Sequence, residues 1–202
     1  MIGRFVKLAL LLPVLSIISM GLWSNHDDNK AATALAEVNA GNELFQSYSS
    51  LNLDKSFLGF KEALAFSESS GNYFAVNRLG YKGKYQFGNS TLKWVGVTDY
   101  KSFLEQPALQ ERAFDVLLAK NKFILEDHIK AFDGMEVGGV TITESGLLAA
   151  AHLGGAGNVK DFLDSKGADC FKDANGVPIS AYIEKFGGYD TSAIAPNALA
   201  RV

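Results

Sequence analysis

Read for apolar and polar spacing, the chain divides into four stretches. The first holds an apolar run without a charge, "LALLLPVLSIISMGLW", from Leu8 to Trp23. Residues 24–50, ending in "NELFQSYSS", are polar and rich in small side chains. They read as a tether with at most one short helix, Ala31–Val38. From residue 51 to 190 apolar positions recur every three or four residues, the signature of helices with one buried face. Residues 191–202, "TSAIAPNALARV", read as a loose tail.

Within residues 51–190 the helix signals are local and frequent. Asp54 is placed to cap "KSFLGFKEALAFSES" and Gly71 to stop it. "TLKWVG" predicts a short helix closed by Gly96. "PALQERAFDVLLAKNKFILEDHIKAF" opens on a helix-compatible proline and is long and amphipathic. "TITESGLLAAAHL" begins with a capping box, Thr141 to Glu144, and stops at Gly154–Gly155. "NVKDFLDSKG" and "ISAYIEKFGG" predict two shorter helices. Period-two alternation is scarce, and the segment Tyr81–Phe87 is the one place for a small hairpin. The expected class is mainly α with little sheet.

Composition narrows the function. Of 202 residues, 48% are hydrophobic and 20% charged, with a formal net charge of -3. That describes one globular core, and it excludes disorder and a dedicated nucleic-acid binder, which concentrates basic charge. A single cysteine, Cys170, excludes an intrachain disulfide. His26, His128 and His152 have no metal-ligand spacing, so neither a metal nor another cofactor is expected. "MIGRFVK" before the apolar run is the charge-then-apolar order of an export signal. Residues 1–23 are therefore expected to be a signal peptide or an uncleaved membrane anchor. An Ala-x-Ala site lies downstream at Ala34–Ala36, and with Phe5 and Val6 the run approaches the ~20 residues that span a bilayer. Basic charge before the run and Asp27 and Asp28 after it place the body outside the cytoplasm, in the periplasm or cell envelope.

The candidate chemistry centres on Glu68. No Asp or Glu follows it from Ser69 to Thr98. At about 100° per residue, Glu68 points within roughly 20° of Phe57 and 40° of Leu64, toward the buried side of its helix. It also lies in the last turn, where unpaired carbonyls make the helix end negative. Both surroundings disfavour the ionised form, so the group is suited to hold and donate a proton. The plainer alternative is a structural or solvated carboxylate paired with Lys61 or Arg78. "SSGNYFAVN" and "GYKGKYQFG" then offer amides, hydroxyls and flat aromatic faces, Tyr73 and Tyr81 among them. Such groups hold sugar rings. Arg78, Lys82, Lys84 and Lys93 would suit a glycan that carries carboxylates.

"ESSGNY…GKYQFGNSTL" resembles the E-S…G…Q signature of the lysozyme-like lytic transglycosylases, in phage-type and secreted bacterial forms. "AAHLGGAGNV", Ala150–Val159, resembles that family's second motif, A-Y-N-A-G-P-G-x-V. The likeness covers roughly residues 57–162, with both motifs in order and the long helix between them. It implies a lysozyme-like α+β domain over residues 51–190, acting as a monomer on peptidoglycan strands. It implies Glu68 as general acid and then base, with Ser69 beside it. Gln86 would contact substrate, flanked in the cleft by Tyr85 and Phe87. His152 stands where the family has Tyr and Leu153 where it has Asn, which removes a hydroxyl from the neighbourhood of the acid. Gly154, Gly155 and Gly157 would let backbone approach the glycan, or would simply separate two helices.

Glycosidic cleavage normally takes two carboxylates. The segment after Glu68 supplies no second one, which favours a one-carboxylate route that ends in a 1,6-anhydro-muramoyl product. Asp99, Asp127 or Glu144 could fold into the cleft and restore hydrolysis, so a lysozyme-type hydrolase is the near alternative. A non-catalytic glycan-binding or envelope-assembly module is the alternative from another class. Tyr182 and Tyr189 are candidates for the groove wall, with packing as their expected role.

Overall fold

The computed structural model describes residues 55–173 and 176–202. The expected signal or anchor, the tether, its helix at Ala31–Val38 and the Asp54 cap lie outside those residues. Helix α1 runs Phe57–Ser69 and is capped by Ser56, whose hydroxyl accepts from the Gly59 amide at 3.1 Å. It ends at Ser70, where a left-handed backbone (φ 56°) turns the amide back onto the Ala65 and Phe66 carbonyls. Helix α2 runs Asn89–Val95 and closes at Gly96, as its sequence predicts. Helix α3, Tyr100–Glu105, was not foreseen: six residues carry too little periodicity, although Asp99 caps it through the Lys101 and Ser102 amides. Helix α4, Pro107–Phe132, matches the long amphipathic stretch and has its proline in the first turn.

Strands β1, Glu136–Val137, and β2, Val140–Thr141, pair antiparallel. The Gly138–Gly139 turn between them has φ of 58° and 81°, the left-handed pair that suits a tight hairpin. The sheet therefore forms here and not at Tyr81–Phe87, where Lys82 makes only single bridges, to Val76 and to Phe87. Helices α5, Glu144–Gly154, α6, Ala156–Asp164, and α7, Ile179–Lys185, follow. Thr143 caps α5 by accepting from the Gly146 amide at 3.2 Å; Thr141, the expected cap, belongs to β2. The described residues thus form a mainly α fold of seven helices and one two-stranded sheet.

Helix α5 is central. Every residue from Ser145 to Ala151 is buried, as an apolar helix without a polar face must be. Helices α4, α6 and α7 all pack on it. The contact with α7 is backbone-close: a Cβ at Gly146 would stand 2.5 Å from the Ile183 carbonyl oxygen. Ser145 reinforces it, donating to the Phe186 carbonyl at 2.8 Å and accepting from the Tyr189 amide at 3.0 Å. One core cluster joins α1, the 85–103 segment and the first half of α4. A second joins the end of α4, the hairpin, α6 and α7, and α5 contributes to both.

Residues 191–202 form no helix or strand, but they are fixed and not loose. The Asn197 amide donates to the Ala119 carbonyl at 2.9 Å, Lys120 donates to the Ala198 carbonyl at 2.7 Å, and the Val202 amide donates to the Val95 carbonyl at 3.1 Å. Backbone pairing of this kind leaves no periodicity for a sequence reading to find.

Candidate active site

Glu68, half-buried in the last turn of α1, opens onto a groove made of three adjoining cavities. The central one, about 130 Å³, is lined by Glu68, Asn77, Tyr81, Gln86, His152 and Asp173 among others. A second, about 430 Å³, extends toward α7 and adds Ala181, Tyr182 and Lys185 to Glu68, Gln86 and Asp173. A third, about 450 Å³, extends the other way between α2, α4 and the α5–α6 junction, and shares Tyr81, Gln86 and His152 with the first. Residues from both sequence motifs therefore meet at one groove. Lys61 does not pair with Glu68; it bonds Glu111 at 2.8 Å and Asp115 at 2.7 Å.

The hydroxyl next to Glu68 comes from α7. Tyr182 donates to Glu68 Oε1 at 3.0 Å. Burial pushes the Tyr182 phenol above its ordinary value, and the Glu68 carboxylate pushes it further the same way. Packing was the expected role of Tyr182, and it does pack against both core clusters and the Phe186 ring; its hydroxyl in addition holds the carboxyl. Its helix also brings Lys185, which donates to Ser67 at 2.8 Å, to the groove wall.

Several residues expected in the cleft turn away from it. Tyr85 is fully buried, stacks on Phe114 with ring centroids 3.9 Å apart, and donates to Glu111 at 2.9 Å. Tyr73 donates to the same carboxylate at 2.7 Å. Ser69 donates to the Lys84 carbonyl at 2.8 Å and accepts from the Asn72 amide, so it pins the loop to α1. Lys84, expected to serve a glycan carboxylate, is spent on Glu62 at 2.6 Å and Glu111 at 2.9 Å. Phe87 is the partial exception: it is buried in a T-shaped pair with Phe103, and it also lines the third cavity.

The departures of Tyr73, Tyr85 and Lys84 share one cause, an ionic cluster centred on Glu111 of α4. Glu111 accepts from Lys61, Tyr73, Lys84 and Tyr85. Burial alone would raise its carboxyl, but the four donors outweigh that and hold it at about 2. The neighbouring Gln110, fully buried, accepts from the Lys84 amide and donates to the Tyr73 and Phe103 carbonyls. It also explains Gly83, where φ is 77° and a Cβ would fall 2.2 Å from the Gln110 amide oxygen. The anchored loop then forces Gln86 into a left-handed backbone, φ 48°, with its Nε2 bonded to the Gly83 carbonyl at 2.9 Å. A non-glycine residue held there costs about 1 kcal/mol or more, and such positions gather at functional sites. Gln86 lines all three cavities.

His152 stands edge-on to Phe87 and Phe114, with ring centroids 6.0 and 5.6 Å away. Its Nδ1 is buried and makes no hydrogen bond among the described residues. Burial lowers its pKa, against a weaker upward pull from Glu68 and the Tyr85 backbone, so the ring is neutral at pH 7. Gly155 and Gly157 are open to the third cavity. Gly154 also lines that cavity, but a Cβ there would strike the Phe171 ring of the loop before α7 at 2.8 Å, so close packing against that loop also calls for a glycine.

Sequence reasoning missed Asp173, whose Oδ1 accepts from the Val177 amide at 2.7 Å and which shares two cavities with Glu68. It also missed Trp94, Glu111 and Gln110. Asp173 comes from an irregular loop that offers no periodic signal, and the Glu111 cluster looks like an ordinary polar face until the loop is docked on it. Among the described residues, no group of three or more His, Cys, Asp or Glu side chains could hold a metal ion, and no helix is long and apolar enough to cross a membrane. Compared with models of known families, with curated proteins and with solved structures, the chain matches none.

Proposed function

We propose that the protein is an exported lytic transglycosylase that cuts the MurNAc–GlcNAc bond of peptidoglycan. The observation that carries this reading is Glu68 in a groove lined by Gln86, Tyr81 and His152, its carboxyl held by the Tyr182 hydroxyl at 3.0 Å. A strand laid along the groove places the bridging oxygen over Glu68. Glu68 gives that oxygen its proton as the C1–O bond breaks, and positive charge develops at C1. The carboxylate left behind takes the proton of the same sugar's 6-hydroxyl, and O6 closes on C1. No water is consumed, and Glu68 ends protonated as it began. Proximity of O6 to C1 replaces a second carboxylate. Tyr182 keeps the carboxyl oriented for both transfers. The neutral His152 ring adds no charge to compete with the one developing at C1.

One observation favours a second reading. Asp173 lines the same cavities as Glu68, and a second carboxylate there could activate water and make the enzyme a lysozyme-type hydrolase. Mass spectrometry of muropeptides from digested cell wall separates the two. Anhydro-muramoyl ends are expected, and reducing ends would overturn the transglycosylase assignment in favour of hydrolysis. Glu68→Gln is expected to abolish both kinds of product. If that variant still clears wall, Glu68 is not the catalyst. If neither protein clears wall but both bind it, the groove belongs to a glycan-binding module.

A further inference from the structure

The third cavity contains a polar group that the cleavage chemistry does not use. Asn121 lies on α4 between Leu117 and Ile124, at the i, i+4 and i+7 positions of one helical stripe, and all three line the cavity. Asn121 is only 2% exposed, and its Nδ2 is buried without a hydrogen-bond partner among the described residues. A core that needed only packing would place an apolar side chain here, because an unpaired buried amide costs stability. The cavity's remaining chemistry restricts the ligand. Among the described residues no Asp, Glu, Lys or Arg lines it, so neither an anion nor a cation would find a counter-charge there. Its lining sets Leu117, Ile124 and Ala151 around the Asn121 carboxamide, with Ser90 and Thr91 at its α2 side. At the side shared with the first cavity stand Tyr81, His152 and a second carboxamide, Gln86, whose Nε2 is already bonded to the Gly83 carbonyl.

We propose that this arm of the groove is a pocket for an acetamido group, with Asn121 as the residue that reads it. A carboxamide is the natural partner of another amide: its NH₂ donates to the acetyl carbonyl while its oxygen accepts from the acetamido N–H. The acetyl methyl then lies against Leu117, Ile124 and Ala151. The choice of a glycan as the bearer of that group rests on the transglycosylase reading. The pocket itself rests on Asn121 and its uncharged surroundings.

The test uses the full chain carrying Glu68→Gln, so that a bound strand is not cut, and two probes: chitotetraose fully N-acetylated and the same tetramer fully de-N-acetylated. Calorimetry gives the affinities, and the fluorescence of Trp94, which lines the cavity, reports occupancy. The acetylated tetramer is expected to bind at least tenfold more tightly. Adding Asn121→Leu should remove that preference by weakening the acetylated tetramer alone, while the melting temperature stays level or rises as the unpaired amide is lost. The proposal is overturned if both tetramers bind alike, if neither binds, if Asn121→Leu keeps the preference, or if it lowers affinity and melting temperature together. The two readings fail separately. A preference that depends on Asn121, in a protein whose wild type leaves peptidoglycan uncut, keeps the pocket and removes the transglycosylase. Wild type that cuts acetylated and de-N-acetylated wall equally well keeps the enzyme and removes the pocket.

Discussion

Glu111→Gln tests whether the ionic cluster holds the site loop. The substitution keeps size and removes one charge. One side of the new amide can accept where a carboxylate oxygen did; the other carries N–H groups that face two donors, either Lys61 with Tyr85 or Tyr73 with Lys84. Cutting an isolated buried ion pair costs about 3–5 kcal/mol. Here Lys61 keeps Asp115 at 2.7 Å and Lys84 keeps Glu62 at 2.6 Å, so the expected loss is smaller, about 2–3 kcal/mol at pH 7. For a domain of this size that lowers the melting temperature by roughly 5–10 °C. The loss has a sign with pH. The folded Glu111 carboxyl titrates at about 2 against 4.5 for the ordinary group, so its contribution is full above pH 4.5 and fades as pH falls through 2. The shift sets a ceiling of about 3 kcal/mol, reduced to about 2 because the Glu111 side chain is 27% exposed to screening solvent. Urea unfolding of both proteins, followed by circular dichroism from pH 7 to pH 2, measures the difference; other carboxylates titrate in both and largely cancel. A gap under about 0.5 kcal/mol at neutral pH, or one that does not narrow between pH 5 and 2, would refute the reasoning.

Other expected outcomes follow from single contacts. Tyr182→Phe should lower kcat on cell wall about 10- to 100-fold, the worth of a hydrogen bond to a charged group, and leave KM and melting temperature near wild type; a change within twofold removes Tyr182 from the mechanism. Gly146→Ala should destabilise the fold by about 1–3 kcal/mol by pushing α7 off α5, and should cost more in kcat than in KM because α7 carries Tyr182; an alanine variant with normal stability contradicts the close backbone approach. The His152 ring, its pKa lowered by burial, should show a proton NMR titration midpoint below 6.5. Its neutral burial contributes stability present above pH 6.5 and lost below it, and a midpoint at or above 6.5 argues against the buried ring.

The long periodic elements were legible because periodicity and packing agree in them. Helix α4 and the apolar helix α5 were found in nearly their observed extents, and α2 closes on the glycine that marks it. The β hairpin was misplaced because "VGGV" signals its turn only through backbone freedom, while Tyr81–Phe87 merely alternates. In the groove, Glu68, Tyr81, Gln86 and His152 do come together from two distant motifs. Tyr73, Tyr85 and Lys84 carry the same kinds of side chain but answer to Glu111, and that competition exists only after α4 docks on the loop. Tyr182, which bonds the acid, and Asp173, which shares two cavities with it, come from beyond the second motif, where spacing carries no information about contact.

The Tyr182–Glu68 bond joins the first described helix to the last, across 114 positions. A ribosome releases those two ends in order, so the nascent polypeptide holds its acid long before the phenol that steadies it. On the proposed reading, topology then acts as a safety catch: a half-made or clipped chain lacking everything beyond Ile179 is a blunt blade, and cutting power arrives only with the closing helix.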